Sequence, residues 1–174
     1  LSADAAPVPL RVSALRLAAR LHADGERYAR GRKLLREAAA LAPKKAVVQY
    51  DLGVNFETDP HGCDERAARR FRAAVTRDAK PKHLAALGRA LVRINRVAAG
   101  VKHLTAAATA APADAAVLAV VVDGLTDAKR PRTAYRVVAR AKFLAPRDAA
   151  VEKLWADVRF ELSRSTARGP RRTV

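Results

Sequence analysis

The small residues Gly31, Ala67, Gly100 and Ala134 return at a period of about 34 residues, and each opens the same short pattern. The four segments read Gly31-x-x-x-Leu35-x-x-Ala38, Ala67-x-x-x-Phe71-x-x-Ala74, Gly100-x-x-x-Leu104-x-x-Ala107 and Ala134-x-x-x-Val138-x-x-Ala141. Spacings of four and three put the small, the large and the alanine residue on one helix face. The small residue allows a second helix axis to come close, and the large one fills the space beside it. In three units a proline stands five residues after the alanine, at Pro43, Pro112 and Pro146, where its ring forbids a continued helical ladder. A helix pair of this size cannot bury its apolar face alone, so the spacing predicts stacked pairs.

This small–large–alanine pattern with its closing proline resembles the tetratricopeptide repeat family over roughly residues 12 to 163. The first helices carry the resemblance at Leu52-Gly53 with Phe56 and at Leu87-Gly88 with Leu91. The equivalent residues in the outer units are Ala18-Ala19 with His22 and Val121-Val122 with Leu125, and the family's early tryptophan is missing from all four. The resemblance implies an all-α solenoid of antiparallel helix pairs with about nine helices. Repeats are expected over about 12–45, 46–80, 81–114 and 115–148. An extended segment, 1–10, precedes them, with the first helix from about Arg11. A closing helix, 148–163, puts Val151, Leu154, Trp155, Val158 and Leu162 on one face. Residues 164–174 form a basic arm whose cations include Arg171 and Arg172.

Composition agrees with this reading. Forty-one alanines, no methionine and eight aromatic residues suit close contacts between helices. The longest apolar run, Ala115 to Val122, falls far short of the ~20 residues that a membrane-spanning helix needs. A single cysteine, Cys63, excludes an internal disulfide framework. The chain begins at Leu1 rather than Met, as a processed organellar protein does, so an organelle matrix, mitochondrial, is preferred to the cytoplasm.

The net charge is +17, from 34 basic and 17 acidic residues, and it points to an anionic partner. Two positions after each small residue stands a cation: Lys33, Arg69, Lys102 and Arg136. In a helix-pair solenoid this register faces the convex side, and Arg36, Arg72 and Arg140 thicken the stripe. Structured RNA, contacted through its phosphates, and acidic protein surfaces both match such a face. First helices line the concave groove, whose expected exposed residues are Arg16, Arg20, Tyr50, Val54, Ala85, Arg89, Ala119, Val120 and Asp123. An apolar groove of this kind receives a peptide or helix from a protein partner.

Two activities of related proteins do not fit these positions. The carboxylate clamp of chaperone-binding members needs Lys, Asn and Arg on successive first helices, where this chain offers Arg20, Val54 and Arg89. The base-reading code of pentatricopeptide repeats needs a polar residue early in each first helix, where Arg16, Tyr50, Ala85 and Ala119 stand. The sequence holds no glycine-rich phosphate loop, no Gly-x-Ser-x-Gly elbow and no His-Glu-x-x-His. His61 and Cys63 share a turn without further ligands at metal spacing. The expectation is therefore a protein without catalytic residues, cofactor or metal. It is read as a subunit of a ribonucleoprotein such as an organellar ribosome, with rRNA or other structured RNA and protein subunits as partners. The alternative is a protein-interaction scaffold with no nucleic-acid role.

Overall fold

The computed structural model describes residues 6–167. Among these the chain forms nine α-helices and no strand: α1 (Val8–Asp24), α2 (Tyr28–Leu41), α3 (Ala46–Thr58), α4 (Asp64–Arg77), α5 (Pro81–Arg93), α6 (Val97–Ala110), α7 (Ala115–Asp127), α8 (Pro131–Leu144) and α9 (Ala149–Ala167). The fold is all-α, built of antiparallel helix pairs in the manner of a solenoid. It divides into two compact units, Leu1–His83 and Leu84–Val174, with the boundary inside α5.

The repeated pattern does what its spacing predicts. All twelve residues of the small–large–alanine stripes are buried, including the three largest, Phe71, Leu35 and Leu104. Helices α2, α6 and α8 stop at Leu41, Ala110 and Leu144, two residues ahead of Pro43, Pro112 and Pro146. At the end of each second helix the capping N–H of Ala42, Asp78, Ala111 or Ala145 donates to the carbonyl of the stripe alanine, so the same residue packs the core and closes the helix. Asp114 caps α7 by accepting from the N–H groups of Ala116 and Val117 at 3.0 and 3.1 Å. Asp148 repeats that device at α9, accepting from Ala150 and Val151.

In the first unit, Val12, Ala38 and Val48 form one core cluster, and Ala19, Leu35 and Leu52 form another. In the second unit a single larger core joins Leu104, Leu118, Val121, Leu125 and Val138 to Val151 and Val158 of α9. Leu154 and Trp155 pack against that core, and the Trp155 ring lies 4.8 Å from that of Tyr135. An ion pair between Lys142 and Glu152 ties α9 to α8. The closing helix thus uses the predicted face.

Glycine is required where α5 crosses α6. A Cβ on Gly88 would stand 2.9 Å from the Gly100 carbonyl oxygen, and one on Gly100 would stand 2.8 Å from that of Gly88. The turn between α3 and α4 spans 59–63, against three residues at 25–27, 94–96 and 128–130. It folds tightly enough that a Cβ on Gly62 would collide with the Phe56 carbonyl oxygen. The three shorter turns each place a non-glycine residue in the left-handed region, Glu26, Asn95 and Lys129, always five positions before the small residue.

Two boundaries differ from the sequence reading. The first helix starts at Val8 rather than near Arg11, because Pro9 falls in the first turn, where a missing N–H costs nothing. The last helix runs past Ser163 to Ala167. The basic residues Arg171 and Arg172 lie outside the described residues.

Candidate interaction surfaces

The first helices of the unit Leu1–His83 do not make the open groove that the repeat phase suggested. Asp51, only 6% exposed, sits between Arg16 and Arg20, whose guanidinium groups reach its two oxygens at 2.5 and 3.4 Å. A buried carboxylate is tolerable only when charge and hydrogen bonds compensate it, so the half-buried Arg16 serves the fold, while Arg20 stays 62% exposed. The remaining depression, lined by Arg16, Arg20 and Val54, holds only about 50 Å³. Tyr50 is half-buried, with its ring 5.6 Å from Phe71, 5.0 Å from His83 and 5.3 Å from the Lys82 ammonium. In the other unit, Ala85 is fully buried, which removes it from any groove surface, because its small side chain is part of the helix packing. Val120 is half-buried against the same core.

A second buried set braces the long turn. Arg32 donates to Asp59 at 2.6 Å and to Asn55 at 3.1 Å, with its guanidinium over the Phe56 ring. The Arg32 hydrogen bond is the main reason that the Asp59 carboxyl stays below its ordinary value of 3.8. Within the turn, Cys63 donates to Glu65 at 3.1 Å, which lowers the pKa of that carboxyl. No group of three metal-ligating side chains converges among the described residues.

Two surfaces remain. The unit Leu84–Val174 contains a cleft of about 640 Å³ between α5, α7 and α9. Its walls carry both signs of charge, Arg89 and Arg93 from α5 against Asp123 and Asp127 from α7 and Asp157 and Glu161 from α9. Val122, Ala134, Leu154 and Val158 supply apolar floor. Arg89 and Asp123 form a loose ion pair at 3.9 Å between α5 and α7. Of the sequence-predicted groove residues, Arg89 and Asp123 line this cleft. The repeat phase reached only Asp123 of the acidic wall, because half of that wall belongs to α9, which lies outside the four repeats.

The other surface is cationic. Lys33 and Arg36 on α2 and Arg66, Arg69 and Arg72 on α4 are exposed. Arg70 is half-buried and donates to Gln49 at 3.1 Å. Burial first, and then the charges of Arg36, Arg69 and Arg77, push the Arg70 pKa down from its ordinary value. Such crowding of like charge is relieved by a bound anion. In the second unit the equivalent cations Lys102 and Arg136, with Arg140, are also exposed. No helix among the described residues is long and apolar enough to cross a membrane.

Helix pairs with a buried small–large–alanine stripe and a proline-stopped second helix define a tetratricopeptide-type repeat fold. Solved structures with that fold resemble this one. PilF of Pseudomonas aeruginosa superimposes with a TM-score of 0.67 at 19% identity over 90% of this chain and 71% of its own. MamA from RS-1, as a double mutant, gives 0.59 at 18% identity over 90% and 96%. Cut9, in its complex with Hcn1 from the APC/C, gives 0.62 at 16% identity over 83% of this chain, which spans only 29% of Cut9. No family model matches the sequence, and no curated protein matches it.

Proposed function

We propose that the protein is a non-catalytic adaptor that holds a segment of a protein partner in the cleft between α5, α7 and α9, as one subunit of a larger assembly. The cleft carries this reading. Its apolar floor supplies affinity to an inserted side chain, and walls of opposite sign fix the direction of a peptide or helix laid between them. The scaffold fold shared with PilF, MamA and Cut9 supports it. Affinity capture from a native extract tests it. The wild-type chain retains a defined protein set after nuclease treatment, and Asp157→Lys with Glu161→Lys loses it. Retention by the double variant would sink the cleft as the working surface.

The crowded arginines around Arg70 favour a second role for the same adaptor, contact with structured RNA in a ribonucleoprotein. Arg36, Arg69 and Arg72 would meet phosphates there, without base reading. Each phosphate neutralised releases counterions, so with three such contacts affinity for a structured RNA should fall ~40-fold between about 50 and 200 mM salt. Anisotropy titrations of wild type against Arg36→Glu with Arg69→Glu measure this. Equal binding by both proteins would rule the surface out.

A further inference from the structure

The cleft between α5, α7 and α9 gathers like charge on two of its walls. Asp123 and Asp127 stand four residues apart on α7, Asp157 and Glu161 four residues apart on α9, and all line the cleft. Carboxylates at that spacing share a helix face and repel each other. Arg89 approaches Asp123 at 3.9 Å from α5, and Arg164 pairs with Glu161 at 3.3 Å near the end of α9. Asp127 and Asp157 are exposed and have no ion pair among the described residues, although Lys129 lines the same cleft. These two carboxylates are therefore where a cation laid into the cleft gains most.

The nearest source of such a cation is the chain itself. Arg164, which already lines the cleft, is the first of four arginines in the segment 164–174, followed by Arg168, Arg171 and Arg172, and that segment holds no acidic residue. Pro170 cannot continue a helix, so the chain after α9 need not run on along the helix axis. Asp157 precedes Ala167 by ten residues, about 15 Å of helix, and four to five residues of extended chain carry Arg171 and Arg172 ~13–17 Å from Ala167. We infer that residues 168–174, which lie outside the described residues, dock in this cleft, with Arg171 and Arg172 against Asp127 and Asp157. Arg89 and Arg93 on the α5 wall repel the arm and keep it on the acidic side. The contact uses only the residues that directly follow α9 and is indifferent to what comes after them. It rests on the cleft being the adaptor's working surface and adds regulation to it: a partner segment enters by displacing the arm, and presents its own cations to the same two carboxylates.

Trypsin tests the docking directly, because it cleaves after arginine only where the chain is accessible. The full chain is compared with the variant Asp127→Asn plus Asp157→Asn, in which the arm's own sequence is unchanged. A short tether gives the arm an effective concentration on the order of 1 mM, so a contact with an intrinsic Kd of ~100 µM keeps it docked about nine-tenths of the time. Cleavage at Arg168, Arg171 and Arg172, timed by mass spectrometry, should therefore be ~10-fold slower in wild type at about 50 mM salt, and the two proteins should converge at about 0.5 M. Their circular dichroism should coincide, because both carboxylates are exposed. A second measurement reads the vacated cleft with a labelled peptide of residues 164–174. It should bind the chain carrying Arg168→Ala, Arg171→Ala and Arg172→Ala ~10-fold more tightly than wild type, and should lose that binding when Asp127→Asn and Asp157→Asn are added. Equal cleavage of wild type and the double variant, a difference in cleavage that survives high salt, or equal peptide binding with and without the arm's arginines would each overturn the inference. The adaptor reading would survive all three, since it falls only if the chain with Asp157→Lys and Glu161→Lys keeps its partners.

Discussion

Asp51 shows why a side chain's partner decides its role. The repeat phase assigned Arg16 and Arg20 to the concave side of α1, but phase assigns a face and says nothing about what stands opposite. One carboxylate, 35 residues from Arg16 and 31 from Arg20 in sequence, pairs with both arginines. Asp51→Asn would leave the half-buried Arg16 short of a counter-charge. It is expected to destabilise its unit by ~2–3 kcal/mol in urea denaturation, and a change below about 0.5 kcal/mol would show the pair to be incidental. The neighbouring pair has a pH signature. Because the Asp59 carboxyl is held below 3.8 in the folded chain, the Arg32 contact contributes fully above that value, and the contribution is lost as pH falls through the lower folded value. The urea midpoint of wild type should therefore drop more steeply below about pH 4 than that of Asp59→Asn. Parallel curves would contradict the role given to Arg32.

The helices themselves were largely legible. A buried stripe writes its spacing directly into the sequence, and a proline stop is a covalent constraint, so both emerged at their predicted positions. The start of α1 was less legible, because Pro7 and Pro9 read as punctuation although proline is well suited to a first helical turn. The left-handed turns at Glu26, Asn95 and Lys129 were not legible either, since none is the glycine that normally marks that conformation. Replacing Lys129 by glycine should relieve that strain and raise stability by up to ~1 kcal/mol, read from thermal melts; a loss would show that the lysine stem contributes packing. The opposite sign is expected at the α5–α6 crossing. On helix propensity alone Gly88→Ala is favourable by ~1 kcal/mol, yet the added methyl would press on the Gly100 carbonyl and on Leu104, so a net loss of about 2 kcal/mol is predicted. A stabilised Gly88→Ala variant would mean that the two helices can part without penalty.

At the scale of the whole chain, charge is the dominant unknown that the sequence did announce. Seventeen uncompensated positive charges repel one another in the folded state, so added salt should raise the melting temperature between about 20 and 200 mM before any ligand is present. A flat response would show that the cations are already neutralised locally. The acidic cleft wall was hidden at this scale by the same excess, because four carboxylates in a strongly basic chain leave no trace in a net count. Trp155, the chain's one tryptophan, stacks on Tyr135 within the unit Leu84–Val174. Its emission therefore reports on that unit alone, whereas the far-ultraviolet signal sums helices from both. Following one denaturation by the two signals would show, without any mutation, whether the halves of the molecule come apart together or in turn.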